Sequence, residues 1–270
     1  MSDPDQARRI VAQHAATARL LGAESVPMHP SADATVRTHA SGSEIEPKTM
    51  TEAELGPKVD ADRSRDEVQK QLDALRAKYE ADAPHESFNT EFKNIVWGDG
   101  DPCARLMFIG EAPGADEDET GKPFVGKAGG LLNKMITAMG TSRDEVYIAN
   151  VLKTRPPGNA TPTIDEMRLC APYLYEQIKI IDPEVIVTLG KPAVYCLLDR
   201  SEALGKLRGK WHEFPPSDSL SAPTGFERPI PVMPTYHPAY LLRSYTEDNR
   251  KVVWSDLKQV MMKLGLKPKK

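Results

Sequence analysis

Four short apolar runs follow one another along the chain, at residues 106–109, 146–151, 185–189 and 231–233. Each has the length of a buried strand. Helix-like stretches separate the first three and follow the third, at residues 129–139, 163–181 and 192–198, and Thr163 is placed to cap the second of them. Strands that alternate with helices indicate a parallel sheet covered on both faces. We therefore predict an α/β fold, a three-layer α/β/α sandwich around a central four-stranded parallel sheet.

The first 94 residues have a different composition from the rest. We predict an N-terminal extension over residues 1–63, with one helix near residues 6–21 and then a disordered linker that is rich in Ser, Thr, Pro, Glu and Asp. A helical lead-in over residues 64–94 follows, because Val68, Leu72 and Leu75 recur at helical spacing and Ser64 is a candidate N-cap. The remaining residues, 95–270, form the predicted catalytic domain.

Charge and cysteine content narrow the class of protein. The net charge is −4, and residues 1–94 carry 12 basic and 17 acidic residues, so any nucleic-acid partner requires a local basic face in the later domain. No signal peptide and no run of membrane-spanning length is visible, and we expect a cytoplasmic protein with no membrane contact. The three cysteines are widely spaced, which predicts neither disulfides nor a metal site.

Polar and Gly- or Pro-rich clusters follow the predicted strands. Gly110 and Glu111 follow the first, Asn150 lies at the end of the second, and His237 follows the last. The carboxyl ends of parallel strands meet at one edge of a sheet, where ligands bind, so these residues predict a common site. Taken singly, the glycine and the asparagine are also typical of turns, and the histidine of an ordinary loop. Phe124 alone is more typical of a core, and residues 116–119 of a solvated acidic loop.

Longer motifs carry a family resemblance. Residues 110–129 (GEAPGADEDETGKPFVGKAG) resemble the first motif of family 4 uracil-DNA glycosylases, and residues 147–159 (YIANVLKTRPPGN) resemble the second. Residues 207–211 (LRGKW) and 234–243 (PTYHPAYLLR) are similar to the C-terminal motifs, so the resemblance covers about residues 95–264.

This resemblance implies a monofunctional glycosylase that flips uracil out of DNA, hydrolyses its N-glycosidic bond and leaves an abasic site. The implied partner is uracil-containing DNA, and we expect a monomer. The resemblance assigns Phe124 to stacking on the base and Asn150 to reading its edge. It assigns His237 to donating to uracil O2, and Gly110 and Glu111 to the pocket wall. Glu117 resembles a family residue near the base.

The same resemblance implies which residues act in catalysis and which contact DNA. His237 is the expected catalytic donor, and Glu111 is the candidate that stabilises the cationic sugar or activates water, because Ala112 stands where family 1 enzymes carry an aspartate. Leu241 has the spacing from His237 of an intercalating leucine. The residues expected to contact phosphates are Arg155, Arg243, Lys153, Arg208 and Lys210.

One departure from the family is large. Family 4 members usually ligate a [4Fe–4S] cluster with four cysteines. Here residues 83–87 lack the Cys-x-x-Cys pair, Thr154 stands at the third position, and Cys170 alone remains. We therefore predict no cofactor, and we expect packing by residues 63–92 to replace the bracing of the cluster.

Three alternatives stay open. The first is a non-catalytic protein that binds uracil-containing or damaged DNA, and the second is a glycosylase that also accepts other deaminated bases such as hypoxanthine or xanthine. The third is the branch of the superfamily that traps DNA covalently, but Ala112 and the short segment 204–211 do not match its glutamine and its extra basic loop.

Overall fold

A computed structural model describes residues 64–217 and 223–268 of the chain. Its single sheet has the strand order β1-β3-β2-β4-β6-β5. The strands are β1 (Asp99–Gly100), β2 (Leu106–Gly110), β3 (Tyr147–Asn150), β4 (Val185–Leu189), β5 (His212–Phe214) and β6 (Ile230–Thr235). The four central strands are parallel, as predicted, whereas the two edge strands are antiparallel. The prediction of four strands missed these edges because β1 and β5 are short and mostly polar, so neither forms an apolar run.

The helices cover both faces of this sheet. They are α1 (Arg65–Asp82), α2 (Ala115–Thr120), α3 (Lys127–Ala138), α4 (Ile164–Ile181), α5 (Lys191–Leu198), α6 (Leu204–Leu207), α7 (Pro238–Arg243) and α8 (Glu247–Leu264). Helix α8 was not predicted, although its buried Val253, Leu257 and Val260 recur at helical spacing. The three helices predicted at residues 129–139, 163–181 and 192–198 are confirmed as α3, α4 and α5, and α1 lies within the segment predicted as a helical lead-in.

The two predicted helix caps have different outcomes. Thr163 caps α4: its hydroxyl accepts a hydrogen bond from the Glu166 amide at 3.3 Å, and the Glu166 carboxylate accepts one from the Thr163 amide at 2.6 Å. This reciprocal pair satisfies two amides that a helix start leaves without partners. Ser64 occupies the N-cap position of α1, as predicted, but its side chain makes no capping hydrogen bond.

Successive side chains of the central strand β2 point to opposite faces of the sheet, and a separate layer of helices packs on each face. Met107 and Ile109 point into a core cluster that includes residues of α1, α4 and α5. Leu106 and Phe108 point to the opposite face, into a cluster that includes residues of α3 and α8. Each fully buried side chain of this size stabilises the fold by about 1.5–3 kcal/mol. The predicted three-layer α/β/α arrangement is confirmed.

The lead-in contributes to this core, since Val68 and Leu72 of α1 are buried in the first cluster. No helix within residues 64–217 and 223–268 has both the length and the hydropathy of a membrane span. The helix and linker predicted within residues 1–63 lie outside the described residues.

Candidate active site at the strand ends

Two neighbouring strand ends form the floor of the site. Gly110 at the end of β2 pairs in parallel register with Asn150 at the end of β3. A Cβ atom on Gly110 would lie 2.4 Å from Asn150 Oδ1 and 2.6 Å from Phe124 Cζ. Glycine is therefore required here by close approach, and any side chain would displace the amide or the ring. We refer to Gly110, Phe124, Asn150 and His237 as the strand-end site.

Phe124 reaches this site from a strained loop between α2 and α3. Its φ of +52° lies in the left-handed region, which is unfavourable for an aromatic residue. Arg143 holds the conformation, since its guanidinium donates to the Phe124 carbonyl at 3.1 Å and to the Pro123 carbonyl at 2.6 Å. The ring of Phe124 lies 5.5 Å from that of His237, at an interplanar angle of 32°. No sequence motif indicated Arg143.

Glu117 holds the other side of the same loop. Its carboxylate accepts hydrogen bonds from the amides of Gly114 at 3.1 Å, Val125 at 2.9 Å and Gly126 at 3.0 Å. These three bonds tie the start of α2 to the residues that follow Phe124. The carboxylate predicted to lie near the base is engaged with the main chain of the loop.

The acidic run at residues 116–119 forms a helix and not the predicted loop, and only Asp116 and Glu119 in it are exposed. Residues 115–120 form α2, and Asp118 within it is only 2 % exposed. Its carboxylate accepts from the amides of Lys93 at 2.7 Å and Asn94 at 3.1 Å. The charge is buried because two main-chain donors replace water.

Asn150 presents a buried acceptor. The residue is 1 % exposed, and its Oδ1 has no hydrogen-bond partner among the described residues. An unpaired buried acceptor of this kind costs about 1–3 kcal/mol. The orientation of this amide toward Gly110 and Phe124 is therefore suited to a ligand that supplies a donor.

His237 is fixed as a neutral donor. It caps α7, and its Nδ1 accepts a hydrogen bond from the Ala239 amide at 3.1 Å. Burial, followed by the positive charge of Arg243, lowers the pKa of His237 to about 4. The neutral ring must then carry its proton on Nε2, because Nδ1 is the acceptor. A neutral N–H donor therefore lies beside the face of Phe124.

Glu111 follows Gly110 at the rim of the site. Burial raises the pKa of Glu111, while a hydrogen bond with Thr161 and the charge of Arg243 oppose that shift. The main chain of Glu111 is also fixed, since its carbonyl accepts from the Leu152 amide at 3.1 Å. Thr161 was not singled out in the sequence, because no motif marks it.

The predicted DNA contacts are placed unequally. Leu241 is 3 % exposed and packs into the core, so in the conformation described its side chain is not placed to enter a duplex. Leu242 is 43 % exposed, and Arg243 is exposed beside it. The prediction took the spacing of the wedge from related glycosylases and treated residues 238–243 as a loop. Here the segment is the helix α7, where position 241 faces inward and position 242 outward.

The basic residues also separate into two groups. Lys153 is fully buried and cannot reach a phosphate, so that prediction is wrong. Arg208 pairs with the buried Asp256. Arg155 is half-buried and donates to Asn159 at 2.8 Å, whereas Lys210 is exposed.

Aromatic side chains fill the region where the resemblance placed a cluster. Tyr79 of α1 is fully buried and stacks on His85 at 5.3 Å. We call the group of rings packed around it the Tyr79 cluster: Tyr79, His85, Phe92, Trp97 and Tyr173.

The donor set around the Tyr79 cluster does not fit an iron–sulfur group. The Tyr79 hydroxyl faces Thr154 and Cys170, and burial raises the pKa of the Cys170 thiol to about 11. A [4Fe–4S] cluster needs four ligands, usually thiolates, and this region offers one protonated thiol. Among the described residues, no group of three or more His, Cys, Asp or Glu side chains is arranged to hold a metal ion.

Comparisons with known proteins show similarity to uracil-DNA glycosylases. The family profile described as the uracil DNA glycosylase superfamily matches residues 97–258. The chain is 42 % identical to the type-4 uracil-DNA glycosylase of Thermotoga maritima, over 62 % of this chain and 81 % of that protein. It is 43 % identical to that of Saccharolobus solfataricus, over 65 % and 79 %. It is 42 % identical to that of Sulfurisphaera tokodaii, over 66 % and 77 %.

Proposed function

Because the chain belongs to the uracil DNA glycosylase superfamily, we propose that it hydrolyses the N-glycosidic bond of uracil in DNA and leaves an abasic site. The proposal rests on one observation. The side-chain oxygen of Asn150, which has no hydrogen-bond partner among the described residues, and a neutral His237 are both found in the strand-end site. Uracil presents complementary groups, since N3–H is a donor and O2 and O4 are acceptors.

Recognition requires the base to leave the duplex, which costs a few kcal/mol. Phe124 stacks on the flipped base and does not discriminate between bases. Asn150 Oδ1 accepts from uracil N3–H, and its amide nitrogen donates to O4. Cytosine presents the reverse pattern, so its binding leaves buried groups unpaired, and sites of this kind discriminate strongly.

The chemistry breaks the bond between uracil N1 and the sugar C1′. The bonding electrons leave with uracil, whose negative charge spreads onto O2, and the sugar becomes oxocarbenium-like. His237 Nε2–H donates to O2 as this charge develops, and a preorganised donor of this kind is worth about 3–4 kcal/mol. The oxygen of a water molecule then bonds to C1′, and the proton that this water releases neutralises the uracil anion.

Glu111 is the group we propose to stabilise the cationic sugar or to orient the water. Its carboxylate lies close enough to Thr161 and Arg243 to interact with both. We assign Glu117 and Arg143 a different role, because both hold the main chain around Phe124 and so position the stacking ring.

Three further parts of the proposal concern the whole molecule. We propose that no iron–sulfur cluster is needed, because the Tyr79 cluster packs where its ligands would lie. We propose that Leu242 and Arg243 at the exposed face of α7 contact the DNA, together with Arg155. The cytoplasmic location and the monomeric state stay predictions, and light scattering of the purified protein tests the second.

The experiment uses a labelled oligonucleotide with one uracil, as a U·G duplex, a U·A duplex and a single strand. We expect strand breakage only after alkali, because a monofunctional glycosylase leaves an intact abasic backbone. His237→Ala should lower the single-turnover rate by about 100- to 1000-fold. Retained binding of uracil-containing DNA by a wild-type protein that produces no abasic sites would instead support the non-catalytic alternative.

A further inference from the structure

Lys153 carries a buried amine that the mechanism above does not use. Its side chain is fully buried, and its Nζ donates to the Asn150 carbonyl at 2.9 Å and to Gln177 Oε1 at 2.5 Å. The same Nζ lies 5.2 Å from the centre of the Trp97 ring. No carboxylate forms an ion pair with it within the described part of the chain.

These contacts connect three separate segments. The amide nitrogen of Gln177 in α4 donates a hydrogen bond to the Trp97 carbonyl at 3.1 Å. Gln177 therefore accepts from Lys153 through its side-chain oxygen and donates to Trp97 through its nitrogen. The Lys153 carbonyl accepts from the Val96 amide at 2.8 Å. The amine therefore joins the end of β3 to α4 and to the segment before β1.

A lysine in this place requires an explanation, because an apolar residue of similar volume would avoid burying a charge. Burial lowers the pKa of Lys153 to about 7, which reflects how unfavourable the site is for a cation. An ammonium has three donors, and here two carbonyl oxygens and an aromatic face surround it. This arrangement fixes the amine in one place, and through it the carbonyl of Asn150.

We infer that Lys153 is a positioning residue for base recognition: it anchors the main chain of Asn150 and so orients the amide that contacts the flipped base. This inference rests on the proposed function. It predicts that losing the donor misplaces the Asn150 amide, which affects uracil binding and the excision rate together. A displacement of about 1 Å at a reacting group lowers a rate by roughly 100-fold.

The test compares Lys153→Met with Lys153→Gln in the full-length protein. The two replacements have the same length and neither is charged, but only glutamine can donate a hydrogen bond. We expect Lys153→Met to lower the single-turnover excision rate by about 10- to 100-fold and to weaken inhibition by free uracil by a similar factor. Lys153→Gln should recover a substantial part of both.

Controls separate positioning from lost stability. Met261→Ala creates a cavity in α8 away from the Lys153 contacts, and it should lower the melting temperature while inhibition by free uracil is unchanged. Lys258→Met removes an exposed charge and should leave the rate unchanged. If Lys153→Met does not fold, Gln177→Met removes the second contact of the amine and should give a smaller loss in the same two measurements.

The outcomes are distinct. A wild-type protein that excises no uracil would end the proposed function and this inference with it. Normal excision by the wild type, with Lys153→Met within twofold of it, would overturn the inference alone. Equal losses in the Met and Gln variants with unchanged inhibition by free uracil would also overturn it, because a structural role alone would then suffice.

Discussion

The strand-end site and the Tyr79 cluster both bury polar atoms that lack hydrogen-bond partners within the described residues. In the first region the atom is Asn150 Oδ1. In the second region and its immediate surroundings the atoms are Tyr79 Oη, His85 Nδ1, Trp97 Nε1 and Thr154 Oγ1. The larger number of unpaired atoms belongs to the region without assigned chemistry.

The neighbours of these atoms explain the difference. Around Asn150, the missing side chain of Gly110 brings the amide, an aromatic face and the donor His237 together at the ends of the parallel strands. Around Tyr79, rings at centroid distances of 5.0–5.6 Å cover the polar atoms. An unpaired buried polar atom therefore indicates a ligand only where its neighbours supply complementary groups, and elsewhere it reflects imperfect packing.

The largest expected effect comes from emptying the Tyr79 cluster. Tyr79→Ala should destabilise the fold by about 3–5 kcal/mol, because it removes a fully buried ring and leaves a cavity. The excision rate per folded molecule should stay within about threefold of the wild-type rate, because the ring does not contact the strand-end site. Urea unfolding and single-turnover excision at a low temperature measure the two quantities.

Tyr79→Phe is the matched control for that experiment. It keeps the ring and removes a hydroxyl that lacks a partner, so the free energy of unfolding should change by less than about 1 kcal/mol. A loss as large as that of Tyr79→Ala would mean that the hydroxyl, and not the packed ring, braces this region.

The second effect concerns the recognition amide. Asn150→Asp replaces the amide donor by a carboxylate, which cannot donate to uracil O4, and it places an unpaired charge in a buried position. We expect uracil excision to fall by on the order of 100-fold or more. Single-turnover assays on single-stranded DNA measure this loss without the cost of opening a duplex, and undiminished excision would contradict the assigned role.

Sequence patterns predicted the central sheet and the four residues of the strand-end site for different reasons. The parallel strands are continuous apolar runs, and Gly110, Phe124, Asn150 and His237 lie in motifs that resemble a known family. The supporting contacts were not predictable in this way. Arg143 reaches the Phe124 carbonyl from a separate turn, and such a contact depends on tertiary structure.

Lys153 and Leu241 illustrate a second limit of prediction from sequence motifs. Both lie in recognisable motifs, and both were assigned to DNA because of their residue type or spacing. The local backbone turns the first toward α4 and the second toward the core. A motif therefore identifies the residue but not the direction of its side chain, unless the secondary structure of the segment is known as well.

A smaller effect tests the revised assignment of the wedge. Leu242→Ala should lower excision from a U·A duplex by about tenfold and leave single-stranded excision nearly unchanged, because a wedge matters only where a stacked duplex must be opened. Leu241→Ala is the matched control, since it removes a buried leucine and should lower stability by about 2–5 kcal/mol. The opposite pattern, a duplex-specific loss in Leu241→Ala alone, would restore the original assignment.

The smallest expected effect is a change of rate with pH. Burial raises the pKa of Glu111 above its ordinary value of 4.5. A carboxylate that stabilises a cationic sugar or orients water must be ionised, so the rate should fall as the pH decreases through this raised pKa. The midpoint of the decrease should lie above that of an exposed glutamate, with a twofold loss at the midpoint by definition.

His237 should not contribute to that decrease, because burial lowers its pKa to about 4 and the ring is already neutral at pH 6. Glu111→Gln should therefore remove the decrease that occurs above the pKa of His237, as well as lowering the rate. An NMR titration of His237 measured alongside distinguishes the two groups. If the decrease persists in Glu111→Gln and follows a histidine that titrates near 6.5, the lowered pKa of His237 is wrong and protonation of its ring inactivates the site. A rate that instead rises as His237 becomes protonated would show that the site uses a cationic histidine.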